Sequence, residues 1–188
     1  IPPAAVSLPC LAGGATSVVL ARRAARPPVQ QTRVADDALG ADFSGRWRLD
    51  RSINFDEYLT SLNVSATQRG FATRASVEHR IRRVPEDDYS AHYEMCVVNR
   101  LGTKCEAFTV GPEPTVIESS DARGEPITKR IAWEDPHDRK VLVTQVDSVV
   151  GRLVDKRRLV GDDKMVMELI SPTQVRAYRF FTKLPAND

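Results

Sequence analysis

The chain has 188 residues, of which 41% are hydrophobic, and a formal net charge of +2. This length suits one globular domain with a tail. No apolar run approaches the ~20 residues that a membrane-spanning helix needs, so the chain is predicted not to cross a membrane by itself.

The basic residues are unevenly distributed. Residues 1–35 contain four arginines and no acidic residue, whereas the rest carries 23 basic and 25 acidic residues. The slightly acidic remainder argues against a nucleic-acid-binding protein. Residues 1–41 are rich in Ala, Pro, Val and Arg, which resembles an organellar transit sequence but also fits a disordered linker. We therefore divide the chain into an N-terminal extension, residues 1–41, and a globular domain, residues 42–188.

The globular domain opens with a predicted strand over Phe43–Asp50. Two short helices follow it. Asn54 is a candidate N-cap for the first helix, and the apolar residues behind it recur at helical spacing. Ser65 or Thr67 begins the second helix, which carries Phe71.

Everything after the helices reads as short strands separated by turn signals. The predicted strands are Val77–Arg83, Tyr89–Val98, Lys104–Val110, Thr115–Ser119, Ile127–Trp133, Lys140–Asp147, Val149–Val160, Lys164–Ile170 and Val175–Lys183. With the first strand they predict an all-β fold, namely a ten-stranded antiparallel up-and-down barrel with a two-helix cap and an extended N-terminal tail. Closure into a barrel removes the exposed edges of so many strands.

Two motifs give a more specific indication. Phe43 to Trp47 reads F-S-G-R-W, and Asn54 to Leu59 reads N-F-D-E-Y-L. In this order and spacing they resemble the intracellular lipid-binding (fatty-acid-binding) protein family, a lipocalin-like (calycin) barrel family. The resemblance covers residues 42 to about 184 and none of the extension. It implies a non-catalytic barrel that holds a fatty acid or phospholipid and needs no cofactor.

The resemblance also implies a head-group site. In this family the ligand carboxylate is held by arginines and a tyrosine, with the signature R-x-Y on the last strand. Arg176-Ala177-Tyr178 matches the signature, and Arg158 matches an earlier arginine. A buried guanidinium is costly unless it is paired, and a carboxylate can accept two parallel hydrogen bonds from it.

The alternation of side chains along a strand leaves two registers open for the last hairpin. A four-residue connection, Ser171 to Gln174, points Arg176 and Tyr178 into the barrel. A three-residue connection points the opposite face inward, which carries Val175, Ala177, Arg179 and Phe181. The R-x-Y match favours the first register, and the more apolar second face favours the other, with Arg179 as the alternative head-group residue.

Other side chains carry weaker signals. Arg69 and Arg74 on the second helix are predicted to contact a membrane or incoming ligands at the portal. Cys96 and Cys105 lie at equal distances from a turn, where two thiols are favoured and a cross-strand disulfide is the alternative. The three histidines show no metal-ligand spacing, so no metal site is predicted. No catalytic motif is found, so the protein is predicted not to be an enzyme.

Two hypotheses about function follow. In the first, the barrel is an accessory subunit of a large mitochondrial inner-membrane complex of the respiratory or ATP synthase type. Its extension would contact other protein subunits, and the barrel would be peripheral to the membrane. In the second, the protein is a free carrier that binds one fatty acid or similar amphiphile. The basic extension and the heavily charged strand Val149–Val160 favour the first hypothesis.

Overall fold

The computed structural model describes residues 38–120 and 124–185. The chain forms ten strands and two helices in this part. The bounds are β1 Gly45–Ile53, α1 Phe55–Ser61, α2 Ala66–Arg74, β2 Glu78–Pro85, β3 Ala91–Asn99, β4 Gly102–Val110, β5 Thr115–Ser120, β6 Pro126–Trp133, β7 Val141–Ser148, β8 Gly151–Val160, β9 Lys164–Ile170 and β10 Arg176–Leu184. None of the described helices is long and apolar enough to cross a membrane.

All ten strands belong to one antiparallel sheet with the order β4-β3-β2-β1-β10-β9-β8-β7-β6-β5. The first and last strands pair with each other, for example Arg46 with Leu184, and this pairing curls the meander into a nearly closed barrel. β4 and β5 follow one another in the chain but stand at the two ends of this order. The predicted all-β barrel with a two-helix cap is confirmed.

The two helices begin in different ways. Ser65 starts α2 with a capping box, in which its side chain accepts a hydrogen bond from the Gln68 backbone and the Gln68 side chain reciprocates. Asn54 precedes α1, but its side chain makes no cap hydrogen bond. Instead Asn54 Nδ2 donates to the Arg176 carbonyl oxygen over 2.8 Å, which ties the start of α1 to β10. The backbone of Asn54 has φ 59°, a left-handed conformation that asparagine tolerates better than most residues.

One part of the aromatic core surrounds the start of β1 at one end of the barrel. Trp47 and Phe43 are fully buried, and the Trp47 indole Nε1 donates to the Phe43 carbonyl oxygen over 2.8 Å. Residues just before β1 close this end. The Ala41 backbone N–H donates to the Arg139 carbonyl oxygen over 2.9 Å. Leu39 is buried in the same core, so contacts with the barrel begin ahead of residue 42.

The two cysteines of the β3–β4 hairpin lie directly opposite each other, as the spacing predicts. They are joined as a disulfide, with their Cα atoms 4.0 Å apart. The expectation of two free thiols is therefore wrong. Cys96 and Cys105 sit on the outer face of adjacent strands, and Cys105 is exposed to solvent.

Candidate functional site

The last hairpin adopts the three-residue connection. The Ser171 backbone N–H donates to the Val175 carbonyl oxygen over 2.9 Å, and Gln174 completes the turn in a left-handed conformation at φ 65°. This is the arrangement of a type I turn followed by a left-handed residue. The pairing places Arg176 opposite Ile170 and Arg179 opposite Met167.

The inward placement of Arg176 and Tyr178 is therefore wrong. Both lie on the outer face of β10, where Arg176 Nη1 is 3.1 Å from Glu168 Oε1 and its side chain is 57% exposed. The Tyr178 hydroxyl donates to the same carboxylate oxygen over 3.2 Å. The inner face carries Ala177, Arg179 and Phe181, as the alternative register predicts, because the more apolar set of side chains is the one buried.

Arg158 is also on the outer face, where it is exposed and pairs across the sheet with Val166. The neighbouring Arg157 points inward instead, opposite Met167 on one side and Leu142 on the other. Its side chain is only 9% exposed. The inward arginine of this strand is thus one residue earlier than predicted.

Three charged side chains meet inside the barrel, which we call the inner cluster: Asp155, Arg157 and Arg179. Arg157 Nη2 donates to Asp155 Oδ2 over 2.5 Å. Within the described part of the chain, Arg179 has no ion pair at hydrogen-bonding distance, and its guanidinium carbon lies 4.6 Å from the centre of the Phe55 ring on α1. The inner cluster therefore sits beneath the first helix of the cap.

The inner cluster is not fully satisfied. Asp155 Oδ1, Arg157 Nε and Arg179 Nε are all buried and have no hydrogen-bond partner among the described residues. Buried polar atoms usually find partners in folded proteins, and each exception needs an explanation.

Burial sets the electrostatics of this region. It raises the pKa of the Asp155 carboxyl, while Arg157 and Arg179 act in the opposite direction. It also lowers the pKa of the Arg179 guanidinium to about 10, with Asp155 opposing the change. Arg179 therefore keeps its charge at neutral pH, and the Arg157 and Arg179 guanidinium groups lie near the Asp155 carboxyl group inside the barrel.

Two uncharged side chains complete the surroundings. His79 on β2 is 2% exposed, and its ring centre is 4.6 Å from that of Phe181. Burial and the charges of Arg157 and Arg179 lower the pKa of His79 to about 3, so the imidazole is neutral. Burial and the charge of Asp155 raise the pKa of Tyr58 on α1 to about 12, so its hydroxyl keeps its proton. Both groups can donate or accept hydrogen bonds without adding charge.

Comparison with solved structures shows which proteins have a similar barrel. The barrel matches a protein described as the REP1-NXSQ fatty acid transporter with a TM-score of 0.63 and 22% identity, over 79% of this chain and all of the other. It matches the fatty-acid-binding protein 1 of Echinococcus granulosus with a TM-score of 0.63 and 16% identity, over 76% of this chain and 98% of the other. The chain has the fatty-acid-binding-protein fold. A Schistosoma mansoni fatty acid binding protein in complex with arachidonic acid matches similarly, with a TM-score of 0.63 and 18% identity over 76% and 96% of the two chains.

These matches show a shared fold alone, because all three sequence identities are below 25%. No family model and no curated protein sequence matches the chain. The fatty-acid-binding-protein fold agrees with the resemblance carried by the F-S-G-R-W and N-F-D-E-Y-L motifs.

The two arginines predicted at the portal of this fold have different surroundings. Arg69 Nε lies 3.0 Å from Asp56 Oδ1, and Arg69 Nη1 donates to the Val64 carbonyl oxygen over 3.0 Å. It therefore holds α2 against α1. Arg74 ends α2 and is exposed, next to a helix face on which Phe71 is 74% exposed. Contact of either arginine with a membrane stays a prediction.

A groove on the outside of the fatty-acid-binding-protein fold is the other candidate for a binding site. It is a groove of about 470 Å³ over the outer faces of β6 to β9. Two of its basic residues are already paired, since Arg152 Nε lies 2.7 Å from Asp147 Oδ1 and Lys156 Nζ lies 2.5 Å from Glu134 Oε1. The inner cluster, with its buried and unpartnered atoms, is the better candidate for a binding site.

The residues that sequence reasoning missed could have been found by the same parity test. β8 and β9 are joined by a three-residue turn, in which Gly161 has φ 67° and Val160 pairs with Lys164. Since Met165 is an inward residue, its partner Leu159 is inward, and so are the residues two and four positions earlier. Those residues are Arg157 and Asp155. Sequence gave no comparable signal for Tyr58 or His79.

Proposed function

We propose that this protein is a carrier that binds one fatty acid, or a similar single-chain amphiphile, inside the barrel. The observation that carries the proposal is Arg179, a buried guanidinium beneath the helical cap with an unpartnered Nε and no close ion pair among the described residues. A buried cation of this kind is costly unless an anion joins it. The named functions of the similar structures, a fatty acid transporter and fatty-acid-binding proteins, support the same class of ligand.

The chemistry required of the ligand follows from the site. A carboxylate can accept a charge-assisted hydrogen bond from Arg179, which is worth more than a neutral one. The Tyr58 hydroxyl and the neutral His79 ring lie in the same region, and either group can donate a hydrogen bond to the second oxygen of the carboxylate. The alkyl chain would lie against the apolar inner residues of the barrel, at about 0.8 kcal/mol for each buried methylene group. No step of this proposal needs a chemical reaction.

The experiment is calorimetric titration of the delipidated full chain with decanoate and with decanol. We expect Arg179→Met to weaken decanoate binding about tenfold or more, because a hydrogen bond to a charged group contributes about 1.5–3 kcal/mol. Decanol binding should change little. Arg176→Met is the matched control, since Arg176 is an arginine of the same strand on its outer face. Equal effects of the two substitutions on decanoate, or no binding of either ligand by the wild type, would refute the proposal.

The accessory-subunit hypothesis depends on the N-terminal extension. Residues 1–37 of it lie outside the described residues. The described contacts of Leu39 and Ala41 are made with the barrel itself. The assignment to a mitochondrial complex, the contacts with other subunits and the inner-membrane location therefore stay predictions.

A further inference from the structure

The inner cluster contains its own anion. A carrier for anionic lipids needs cations inside the barrel, yet Asp155 lies among them and pairs with Arg157. The Asp155 side chain is 19% exposed and that of Arg157 is 9% exposed, so water screens this pair only weakly. We propose that Asp155 is a specificity residue that limits the head group of the ligand to a single negative charge. The inference rests on the proposed function and deepens it.

The argument is one of charge balance. Arg157 Nη2 lies 2.5 Å from Asp155 Oδ2, so these two charges neutralise each other. Among the described residues of the inner cluster, Arg179 is then the cation that a ligand can use. The net charge of the inner cluster is then +1. A monoanionic carboxylate brings the region to neutrality. A dianionic head group such as a phosphate monoester would leave an excess negative charge in an apolar barrel, which is strongly unfavourable.

The position of Asp155 strengthens the discrimination. Its Oδ1 is buried and has no hydrogen-bond partner among the described residues, so this oxygen is not shielded by a donor. Asp155 is close enough to Arg179 and to Tyr58 to influence the protonation of both. An anionic head group bound at Arg179 therefore lies in the field of the Asp155 carboxylate. A second negative charge on that head group would be repelled.

The groups that face Asp155 from neighbouring elements do not cancel this effect. Tyr58 on α1 and His79 on β2 are uncharged at neutral pH. Arg157 on β8 and Arg179 on β10 are already counted in the balance.

The test compares decanoate with decyl phosphate, which share a chain length and differ in head-group charge. Calorimetric titrations at pH 8.5, where a phosphate monoester carries about two negative charges, give the ratio of the two dissociation constants. We expect wild type to prefer decanoate. Asp155→Asn, which raises the net charge of the inner cluster to +2, should shift the ratio toward decyl phosphate about tenfold or more.

Two further variants separate charge from structure. Arg157→Gln lowers the net charge of the inner cluster to zero, so it should shift the ratio of dissociation constants further toward decanoate. This variant also tests the inference if Asp155→Asn fails to fold. The double variant Asp155→Asn/Arg157→Gln restores a net charge of +1 and should restore the wild-type preference. Glu168→Gln is the matched control, because Glu168 is a carboxylate on the outer face that pairs with Arg176.

The outcomes distinguish the inference from the proposed function. Decanoate binding that depends on Arg179, with a ratio that none of the charge variants moves, would overturn the inference and leave the carrier proposal intact. A ratio in the double variant equal to that of Asp155→Asn would also overturn it. Failure of wild type to bind decanoate at all would overturn both. The inference is upheld if the ratio follows the net charge of the inner cluster in each of the charge variants that folds.

Discussion

Removing the buried cation Arg179 should make the unliganded protein more stable. Burial lowers the pKa of its guanidinium well below the ordinary arginine value, to about 10. One pKa unit is about 1.4 kcal/mol, so the charged form is about 3 kcal/mol less favourable in the folded protein than in water. Arg179→Met removes this cost and also loses the contact with the Phe55 ring, worth about 1 kcal/mol. We expect the free energy of unfolding to rise by about 2 kcal/mol.

The assay is denaturant unfolding of delipidated protein at pH 7, followed by the fluorescence of Trp47 and Trp133, together with a thermal scan. For a chain of this size, about 2 kcal/mol corresponds to a rise in Tm of about 4–8 °C. The control is Arg176→Met, whose exposed ion pair with Glu168 is worth at most about 1 kcal/mol. A loss of stability on Arg179→Met would show that the cation contributes to the fold, and the argument that a ligand is needed to satisfy it would fail.

Three further perturbations test the rest of the architecture. Cys96→Ser should lower the free energy of unfolding by about 2–3 kcal/mol, because the disulfide to Cys105 closes a loop with a sequence separation of 9, and a reducing agent should reproduce the loss in wild type but not in the variant. The pKa of His79 falls to about 3 on folding, so below pH 6.5 the unfolded state binds a proton that the folded state does not. The free energy of unfolding should therefore fall by about 1.4 kcal/mol per pH unit between pH 6 and 4. His79→Phe should flatten this slope, whereas substitution of the half-buried His92 with Gln should not. Asn54→Gly removes the side-chain hydrogen bond to β10 and should destabilise α1 by about 1 kcal/mol, which amide exchange in α1 would detect as a faster rate. Asn54→Ala should be more destabilising, because alanine is strained at φ 59°.

Much of the fold could be read from the sequence because the strands alternate cleanly and the turns are marked. The strand over Lys164–Ile170 was bounded correctly, since its apolar face of Met165, Met167 and Leu169 is unmistakable. Ser65, one of the two residues predicted to begin the second helix, is its N-cap, whereas the capping box with Gln68 was not predicted. The position of Asn54 was right, but its interaction with β10 was not predictable, because it joins residues that are far apart in the chain.

The candidate site was predicted less well, and the reason is the two-residue period of a strand. A change of one residue in the length of a turn exchanges the inner and outer faces. The left-handed conformation of Gln174 decided the last hairpin, and glutamine gives no advance sign of such a conformation. The R-x-Y match therefore selected Arg176 and Tyr178, whereas apolar burial of Phe181 selected Arg179.

The sheet order has a consequence for how the chain folds. Strands that pair in the sheet are neighbours in the sequence, with the exception of β1 and β10, which come from the two ends of the domain. β4 and β5 are neighbours in the sequence, but they lie at opposite ends of the sheet order and do not pair. Closing the barrel therefore requires one long search between distant segments, and such non-local pairing slows folding. In a circularly permuted chain that begins at β5, ends at β4 and links β10 to β1, all the paired strands would be adjacent in sequence. The neighbouring positions of Arg46 and Leu184 mean that a short linker could make that connection.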